Sequence, residues 1–356
     1  MFGSTLPRAR VVPRTRESLK PVLAICGTLS SMPLRRVFLL LCVVAVGAVC
    51  ATPGGAARRS LTTGVVDVNT TLGYQGGTAA GTGMVLTSSG EVLTNNHVIR
   101  GATAIRVTIP GGRTYTATVV GYSVANDVAV LRLKASRLAH VSTGNSAAVK
   151  VGDSVTAVGN AGGVGGAPGT ARGKVTALGR TITASADGIA EQLTGLIRID
   201  AALRPGDSGG PLVNAAGRVI GMDTAASVGF AFRASGDGFA IPINKALALA
   251  KQIAAGRAST TVHVGSTPFL GLSVPTSSDV SGVVVSDVVG GGPADKAGIV
   301  AGDTIRTLNG RAVSSYSNLT KALLLHRAGA VLSLGIVDEL GNRTTVTVHT
   351  TAGPPQ

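Results

Sequence analysis

Three residue types that can perform nucleophilic catalysis occur in short, distinctive segments of this 356-residue chain. His97 follows V-L-T-N-N, Asp127 follows A-N, and Ser208 stands within G-D-S-G-G-P. A serine hydroxyl is a weak nucleophile at neutral pH and needs a base within hydrogen-bond reach. An imidazole can accept that proton and return it to a leaving group, while a buried carboxylate holds the imidazole in the useful tautomer. The three types together could therefore cleave a peptide bond.

These segments, with Gly81–Leu86 (G-T-G-M-V-L), resemble the HtrA/DegP family of trypsin-like serine proteases, most closely its secreted actinobacterial members of the PepA type. The chain order His, Asp, Ser is that of chymotrypsin-like enzymes and differs from that of subtilisin and the α/β-hydrolases. The resemblance covers roughly residues 62–352. It implies a mainly β fold, with a chymotrypsin-like double β-barrel followed by a small α+β PDZ domain. It also implies that Ser208 is the nucleophile, His97 the base and Asp127 the orienting acid.

The resemblance assigns further residues around the reacting bond. The backbone N–H groups of Gly206 and Ser208 would form the oxyanion hole. Ala202, six residues before the nucleophile, would lie at the floor of the primary specificity pocket, which predicts a preference for small or medium aliphatic residues. The alternative is that Ala202 only fills space in a strand. Thr224 and Ala225 would lie beside the substrate backbone.

The C-terminal part of the chain carries a second specific motif. Gly291–Ile305 (G-G-P-A-D-K-A-G-I-V-A-G-D-T-I) resembles the PDZ domains attached to HtrA proteases. Such a domain adds an extended peptide as a strand and holds a terminal carboxylate in backbone N–H groups. By this resemblance one loop receives the carboxylate, and two leucines of a helix over about 317–326 line an apolar pocket, unless they are ordinary core residues. The loop residues are Phe269, Leu270, Gly271 and Leu272, and the helix residues are Leu319 and Leu323.

The elements that position these residues are predicted from local patterns. Val- and Thr-rich runs, broken by many of the 50 glycines, predict short strands. Ile243–Gly256 is predicted to be a helix with Asn244 as its N-cap, and it closes the protease domain. We predict an N-terminal export or anchor region, a protease domain, a linker rich in Ser and Thr, a PDZ domain and a short tail. These regions span residues 1–60, 61–256, 257–267, 268–352 and 353–356, respectively.

Composition excludes several other function classes. The net charge is +15, but nine basic residues and one acid fall within residues 1–60, and the remaining basic residues are scattered. With only 3% aromatic residues, this pattern does not predict a nucleic-acid binder. Cys26, Cys42 and Cys50 all precede the predicted folded body, so no structural disulfide or thiolate metal site is expected there. The five histidines form no close pair, and we predict neither a metal centre nor a cofactor.

The N-terminal region has the layout of an export signal. Arg35 and Arg36 precede an apolar run, Val37–Ala51, and small residues follow over 52–57. The run has 15 residues, fewer than the roughly 20 that a helix needs to cross a bilayer. A cleaved signal, a retained membrane anchor and a buried helix all stay open, as does Met32 rather than Met1 as the true start. The expected location is extracytoplasmic, either secreted or in the cell envelope.

The leading hypothesis is an exported endopeptidase that acts on unfolded or damaged polypeptides, a substrate class implied by the resemblance. The PDZ domain would bind peptide C-termini. The alternative hypothesis is a PDZ peptide-binding or chaperone-like protein whose protease domain is silent. Family members often form trimers through an N-terminal segment. Val65–Tyr74 could serve for a homotrimer, although its single aromatic residue gives little support.

Overall fold

The structure, a computed structural model, describes residues 60–186, 189–224, 237–275 and 281–356. The expected export segment, including Val37–Ala51, lies outside these residues. Within the described ranges, no helix combines the length and the apolar character needed to cross a membrane. The architecture is mainly β, as predicted, with two barrels followed by a smaller mixed domain.

The first barrel is a sheet in the order β5-β4-β1-β2-β3-β6, and pairing of β5 with β6 closes it. A one-turn helix, α1, follows β3 and carries His97. All neighbouring strands in this barrel run antiparallel. The elements are β1 (Val65–Leu72), β2 (Gly77–Val85), β3 (Glu91–Thr94), α1 (Asn96–Ile99), β4 (Ala104–Thr108), β5 (Thr114–Ser123) and β6 (Val128–Leu133).

The second barrel closes in the order β10-β11-β12-β9-β8-β7 and is followed by a helix, α2. Short 3-10 turns over Ser146–Ala148 and Ala161–Gly163 precede and follow its first strand. Ser208 lies in the segment between β9 and β10. The elements are β7 (Ser154–Gly159), β8 (Gly169–Ala186), β9 (Ile189–Ile199), β10 (Pro211–Asn214), β11 (Val219–Thr224), β12 (Gly238–Pro242) and α2 (Ile243–Ala254).

Alternation along the strands explains how the barrels are held together. In β6, Ala129 and Leu131 belong to the core of the first barrel, whereas Val128 and Val130 belong to a second cluster that includes residues of the second barrel and of α2. Successive side chains of a strand point to opposite faces. Both faces of β6 are therefore covered, and the strand is hydrophobic almost throughout rather than at every second position.

The smaller domain, predicted to be a PDZ domain, has its own apolar core beneath a five-stranded sheet, in which β16-β18-β20-β21 are consecutive and β19 also pairs with β18. Two two-stranded sheets, β14-β22 and β15-β17, complete it. The elements are β14 (Thr267–Phe269), β15 (Leu272–Ser273), β16 (Val283–Val284), β17 (Asp287–Val288), α3 (Pro293–Lys296), β18 (Thr304–Leu308), β19 (Arg311–Ala312), α4 (Tyr316–Leu323), β20 (Val331–Val337), β21 (Arg343–His349) and β22 (Thr351–Gly353).

The segment predicted as a linker, 257–267, contains regular structure. A short strand, β13 (His263–Val264), pairs with β5 of the first barrel. The approach is close at Gly121, where a side chain would collide with the backbone carbonyl of His263. Ser- and Thr-rich composition indicates a connection, but it carries no information on pairing with a distant strand edge.

The four residues predicted as a tail are also ordered. Gly353 ends β22, and the last two residues contact the first barrel beside the helix that carries His97. The N–H of Gly101 donates to the carbonyl of Pro355 at 2.8 Å, and Asn96 Nδ2 donates to the carbonyl of Gln356 at 2.9 Å. The end of the smaller domain is therefore tied to the first barrel.

Helix α2 begins at its predicted first residue, but the cap prediction was wrong. The N-cap is Pro242, and Asn244 lies inside the first turn. Its side chain donates to Asn145 Oδ1 at 2.7 Å instead of capping the helix. Gly256 has φ +70°, a left-handed conformation that favours glycine, just beyond the helix end.

Candidate active site

His97 and Asp127 are in direct contact. Nδ1 of His97 lies 2.9 Å from Asp127 Oδ2 and 3.0 Å from Oδ1, and the backbone N–H of His97 also donates to Oδ1 at 3.0 Å. The carboxylate side chain is 6% exposed and the imidazole 33% exposed. Since a carboxylate only accepts hydrogen bonds, Nδ1 carries the proton and Nε2 presents a lone pair. The ring is thus in the tautomer that a general base requires.

Asp127 is fixed from several directions. Its φ is +52°, a left-handed conformation that aspartate tolerates better than most residues. Asn95 Nδ2 donates to its carbonyl at 2.9 Å, and the hydroxyl of Thr224 donates to Oδ2 at 3.2 Å. Unusual backbone conformations of this kind persist where surrounding contacts impose them. Asp127 is therefore held by both barrels.

Glycine is required at two positions of the turn that contains Ser208. Gly206 has φ +98° and Gly209 has φ +86°. A side chain at Gly206 would collide with the carbonyl of Asn160, and one at Gly209 would collide with the carbonyl of Thr82. The G-D-S-G-G-P motif is thus explained locally by positive φ and close packing.

Thr82 of β2 joins the two barrels at this turn. Its hydroxyl donates to the carbonyl of Gly206 at 2.6 Å and accepts the N–H of Asn160 at 2.8 Å. Its own N–H donates to the carbonyl of Ser208 at 2.8 Å, and Thr94 Oγ1 donates to its carbonyl at 2.7 Å. Sequence reasoning missed this role. The residue was visible in G-T-G-M-V-L, but nothing in its type predicted four bonds at the junction.

Several backbone amides of the turn donate hydrogen bonds within the fold. The N–H groups of Asp207, Gly209 and Gly210 donate to the carbonyls of Arg204, Asp223 and Asp207, respectively. The oxyanion hole was predicted from two other amides, those of Gly206 and Ser208. The oxyanion hole stays a prediction.

Asp207, which precedes Ser208, is a buried carboxyl. Its Oδ2 accepts the N–H of Arg204 at 2.8 Å. Burial raises its pKa, and the amide and positive charge of Arg204 oppose that rise. The side chain thus anchors the turn from below.

Comparison with known proteins places this geometry in a family. The trypsin-like peptidase domain family matches residues 81–222, and the PDZ domain family matches residues 260–337. The putative serine protease HhoA of Synechocystis is 35% identical over 291 residues, which cover 76% of this chain and 70% of HhoA. The chain belongs to the HtrA/DegP family of trypsin-like serine proteases.

Other HtrA/DegP relatives show the same match over parts of longer chains. The probable periplasmic serine endoprotease DegP-like of Chlamydia trachomatis is 35% identical over 286 residues, covering 78% of this chain and 54% of that protein. Serine protease PepD of Mycobacterium tuberculosis is 34% identical over 302 residues, covering 80% and 63%, respectively. This chain therefore spans between half and about two thirds of the length of these relatives. The PepA subtype stays a prediction.

The predicted substrate-binding residues of this HtrA/DegP protease domain have different surroundings. Ala202 is exposed in the segment between β9 and β10, close to the turn of Ser208. Thr224 is 1% exposed, its hydroxyl donates to Asp127, and its backbone pairs with Phe239 of β12. Ala225 lies outside the described residues. The assignments of Ala202, Thr224 and Ala225 stay predictions.

The predicted carboxylate-binding loop of the PDZ domain contacts the protease domain. The ring of Phe269 stacks on Tyr74 of the β1–β2 turn, with centroids 5.1 Å apart and an interplanar angle of 28°. Leu270 is buried, and its carbonyl accepts the N–H of Ala294 at 2.8 Å. Gly271 has φ +75°, and Leu272 is half-buried in β15. The loop is thus held by backbone bonds and by one aromatic contact.

The two leucines predicted to line the peptide pocket are core residues in this structure. Leu319 and Leu323 are 4% and 8% exposed and share a cluster with Leu270. Helix α4 runs from Tyr316 to Leu323, and Ser315 caps its N-terminus by accepting the N–H of Asn318. Contact with a bound peptide stays a prediction for both leucines.

Proposed function

We propose that this HtrA/DegP protein is an exported serine endopeptidase that hydrolyses peptide bonds of unfolded or damaged polypeptides through Ser208, His97 and Asp127. The observation that carries the proposal is the hydrogen bond from His97 Nδ1 to Asp127, on a carboxylate that both barrels hold. In the neutral ring this bond leaves Nε2 as the nitrogen that can accept a proton. Beside a serine in a glycine-rich turn, such a His–Asp pair can take the proton from the serine hydroxyl.

The reaction follows from these roles. Nε2 of His97 takes the hydroxyl proton of Ser208 as Oγ forms a bond to the scissile carbonyl carbon. The negative charge on the carbonyl oxygen is stabilised by the amides of Gly206 and Ser208. The imidazolium, stabilised by Asp127, then protonates the leaving amine, and the C–N bond breaks. Water, deprotonated by the same nitrogen, hydrolyses the acyl-enzyme and returns the proton to Ser208.

The PDZ domain supplies the proposed second interaction. A chain end held in the loop Phe269–Leu272 would raise the local concentration of the same polypeptide at Ser208. The terminal carboxylate would lie against backbone N–H groups, and a side chain would enter the apolar region near α4. Polypeptide chains, rather than small amides, are therefore the proposed substrates.

Export is proposed from two independent indications. Arg35, Arg36 and Val37–Ala51 have the order of a secretory signal. The Chlamydia trachomatis relative is named a probable periplasmic endoprotease. Expression of the full chain as a fusion to a reporter that is active only outside the cytoplasm tests this location.

Fluorophosphonate labelling tests the catalytic proposal. The reagent reacts with serines activated by a neighbouring base, so the wild-type chain should be labelled once, at Ser208. Labelling should disappear in Ser208→Ala and persist in Ser142→Ala, a control on a serine outside the site. A folded wild-type chain that takes up no label but still binds peptides at its PDZ domain would establish the catalytically silent alternative instead.

Cleavage mapping on a reduced, denatured protein tests the specificity pocket. With Ala202 at the floor, cleavage should follow small and medium aliphatic residues. Ala202→Asp should shift cleavage toward Lys and Arg, because a carboxylate there would pair with a basic side chain. A wild-type preference for Lys or Arg would reject the assignment of Ala202.

A further inference from the structure

Asp223 is a buried carboxyl group that the proposed catalytic steps do not use. It lies in β11, is 0% exposed, and neither of its side-chain oxygens has a hydrogen-bond partner of good geometry among the described residues. Burying an ionised carboxylate without partners is very costly, and such a group keeps its proton instead. The charge state of Asp223 therefore affects the residues that β11 holds in place.

The surroundings of Asp223 favour the neutral form. Burial raises its pKa well above the usual value, and the negative charge of Asp207 raises it further, while the contact with the Val158 backbone opposes these effects and is smaller than either. Asp207 has its own stabilising amide and charge from Arg204. Ala240 pairs with Asp223 from β12 and carries no charge. When two acids share a site, the one with partners ionises and the other keeps its proton.

The backbone of Asp223 holds the turn of the nucleophile from both sides. Its carbonyl accepts the N–H of Gly209 at 2.9 Å, and its own N–H donates to the carbonyl of Gly210 at 2.8 Å. The next residue, Thr224, donates its hydroxyl to Asp127 Oδ2. One short segment thus bonds to the two residues that follow Ser208 and to the orienting acid. Any displacement of β11 would move both.

We propose that Asp223 is a positioning residue whose uncharged carboxyl keeps β11 seated under the nucleophile turn, and that its ionisation as pH rises displaces the strand and switches the enzyme off. The proposal rests on the proposed function of Ser208. A negative charge in this pocket would be repelled by Asp207 and would draw water toward a site that offers it no donors of good geometry. The strand would move, and the bonds to Gly209, Gly210 and Asp127 would weaken with it.

The direction of the stability change follows from linkage. The unfolded chain releases the Asp223 proton at the ordinary aspartate pKa, whereas the folded chain releases it only at the raised one. Between these two values the unfolded state binds fewer protons, so the stability of the wild type falls as pH rises. Below the ordinary value the contribution is fully retained.

Asp223→Asn tests the proposal because it keeps the side chain's shape and removes the titration. We expect kcat/KM of the wild type to fall on the alkaline side by about tenfold per pH unit past the transition, and the variant to keep its activity there. We also expect the difference in thermal midpoint, variant minus wild type, to grow steadily as pH rises from the ordinary aspartate range toward the raised folded-state transition. Asp237→Asn, a surface carboxyl paired with Arg198, is the matched control and should leave both profiles unchanged.

The proposal is tested by how the difference between Asp223→Asn and the wild type changes with pH. A difference that stays constant with pH does not support it. Wild-type and Asp223→Asn profiles that run parallel in both measurements would overturn the proposal. Should the variant fail to fold, the carboxyl resonance of Asp223 in the wild type decides: a proton retained near neutral pH supports the proposal, and titration in the ordinary range overturns it. The unfolding and titration measurements do not depend on catalysis. A chain that is never labelled at Ser208 would sink the proposed function while leaving the charge state of Asp223 measurable.

Discussion

The catalytic site and the predicted peptide site of the PDZ domain are built from opposite kinds of residues. His97, Asp127 and their supports are polar groups, each with a specific hydrogen bond of 2.9 to 3.2 Å. The PDZ site consists of glycine and apolar side chains, of which Leu319 and Leu323 are packed like any core residue. Buried polar groups demand partners, whereas buried apolar groups demand only contact.

This difference decides what a substitution can reveal in each domain. Removing one polar partner at the proposed triad should abolish chemistry while leaving the barrels folded, because their cores lie elsewhere. Removing an apolar residue of the PDZ site should affect folding and binding together. The two sites are therefore expected to differ in whether function and stability can be separated by one mutation.

Asp127→Asn should have the largest effect on activity. An amide would no longer hold His97 Nδ1 as a donor, so the ring would favour the unproductive tautomer. We expect kcat to fall on the order of 10⁴-fold, with KM and the thermal midpoint nearly unchanged. Steady-state kinetics on an unfolded protein substrate and a thermal scan measure both.

The control for this substitution is Asp237→Asn, which changes the same residue type at a surface pair. It should leave kcat within twofold or so of the wild type, since surface ion pairs contribute little. If Asp127→Asn kept most of its activity, the separation between chemistry and folding drawn for the triad would not hold.

Leu319→Ala should have the largest effect on the PDZ domain. The side chain is 4% exposed and belongs to the domain core, so its loss leaves a cavity that costs about 2–5 kcal/mol of unfolding free energy. Leu325→Ala, at a position 51% exposed, is the matched control with little expected change. Denaturant unfolding and peptide titration should show stability and binding falling together in Leu319→Ala. Loss of binding at full stability would instead give Leu319 a purely ligand-facing role and break the contrast with the triad.

Thr82→Val should produce an intermediate effect in the protease domain. It keeps the shape of the side chain but leaves the carbonyl of Gly206 and the N–H of Asn160 without their buried partner. We expect a loss of about 1–3 kcal/mol in unfolding free energy and a drop in kcat, because the turn of Ser208 loosens. Thr82→Ser retains the hydroxyl and should restore most of both. Equal kinetics for the Val and Ser variants would show that the hydroxyl does not hold this turn.

These examples also show how much of the site could be predicted from the sequence. The contact between His97 and Asp127 was predictable from segments that resemble the HtrA/DegP family and from the chain order of the three residues. The roles of Thr82 and Thr224 were not, since a threonine in a strand has the same local pattern whether or not its hydroxyl bridges two barrels. The prediction of Asn244 as the N-cap was wrong for a related reason. Its side-chain amide donates to Asn145, which is distant in sequence. Tertiary partners override local preference wherever a polar group can choose between them.

Tyr74→Ala should have the smallest effect, and it tests whether the two sites are joined. Tyr74 belongs to the first barrel and stacks on Phe269 of the predicted carboxylate loop. An aromatic pair contributes about 0.5–1.5 kcal/mol, so peptide affinity should weaken by roughly two- to tenfold as the loop loses its support. Fluorescence anisotropy with a labelled C-terminal peptide measures this, and Tyr74→Phe, which keeps the stack, should bind like the wild type. Cleavage of a short peptide that does not reach the PDZ domain should be unaffected in both variants. Unchanged affinity in Tyr74→Ala would mean that contact with the protease domain does not order the loop. The two sites would then be independent in binding as well as in chemistry.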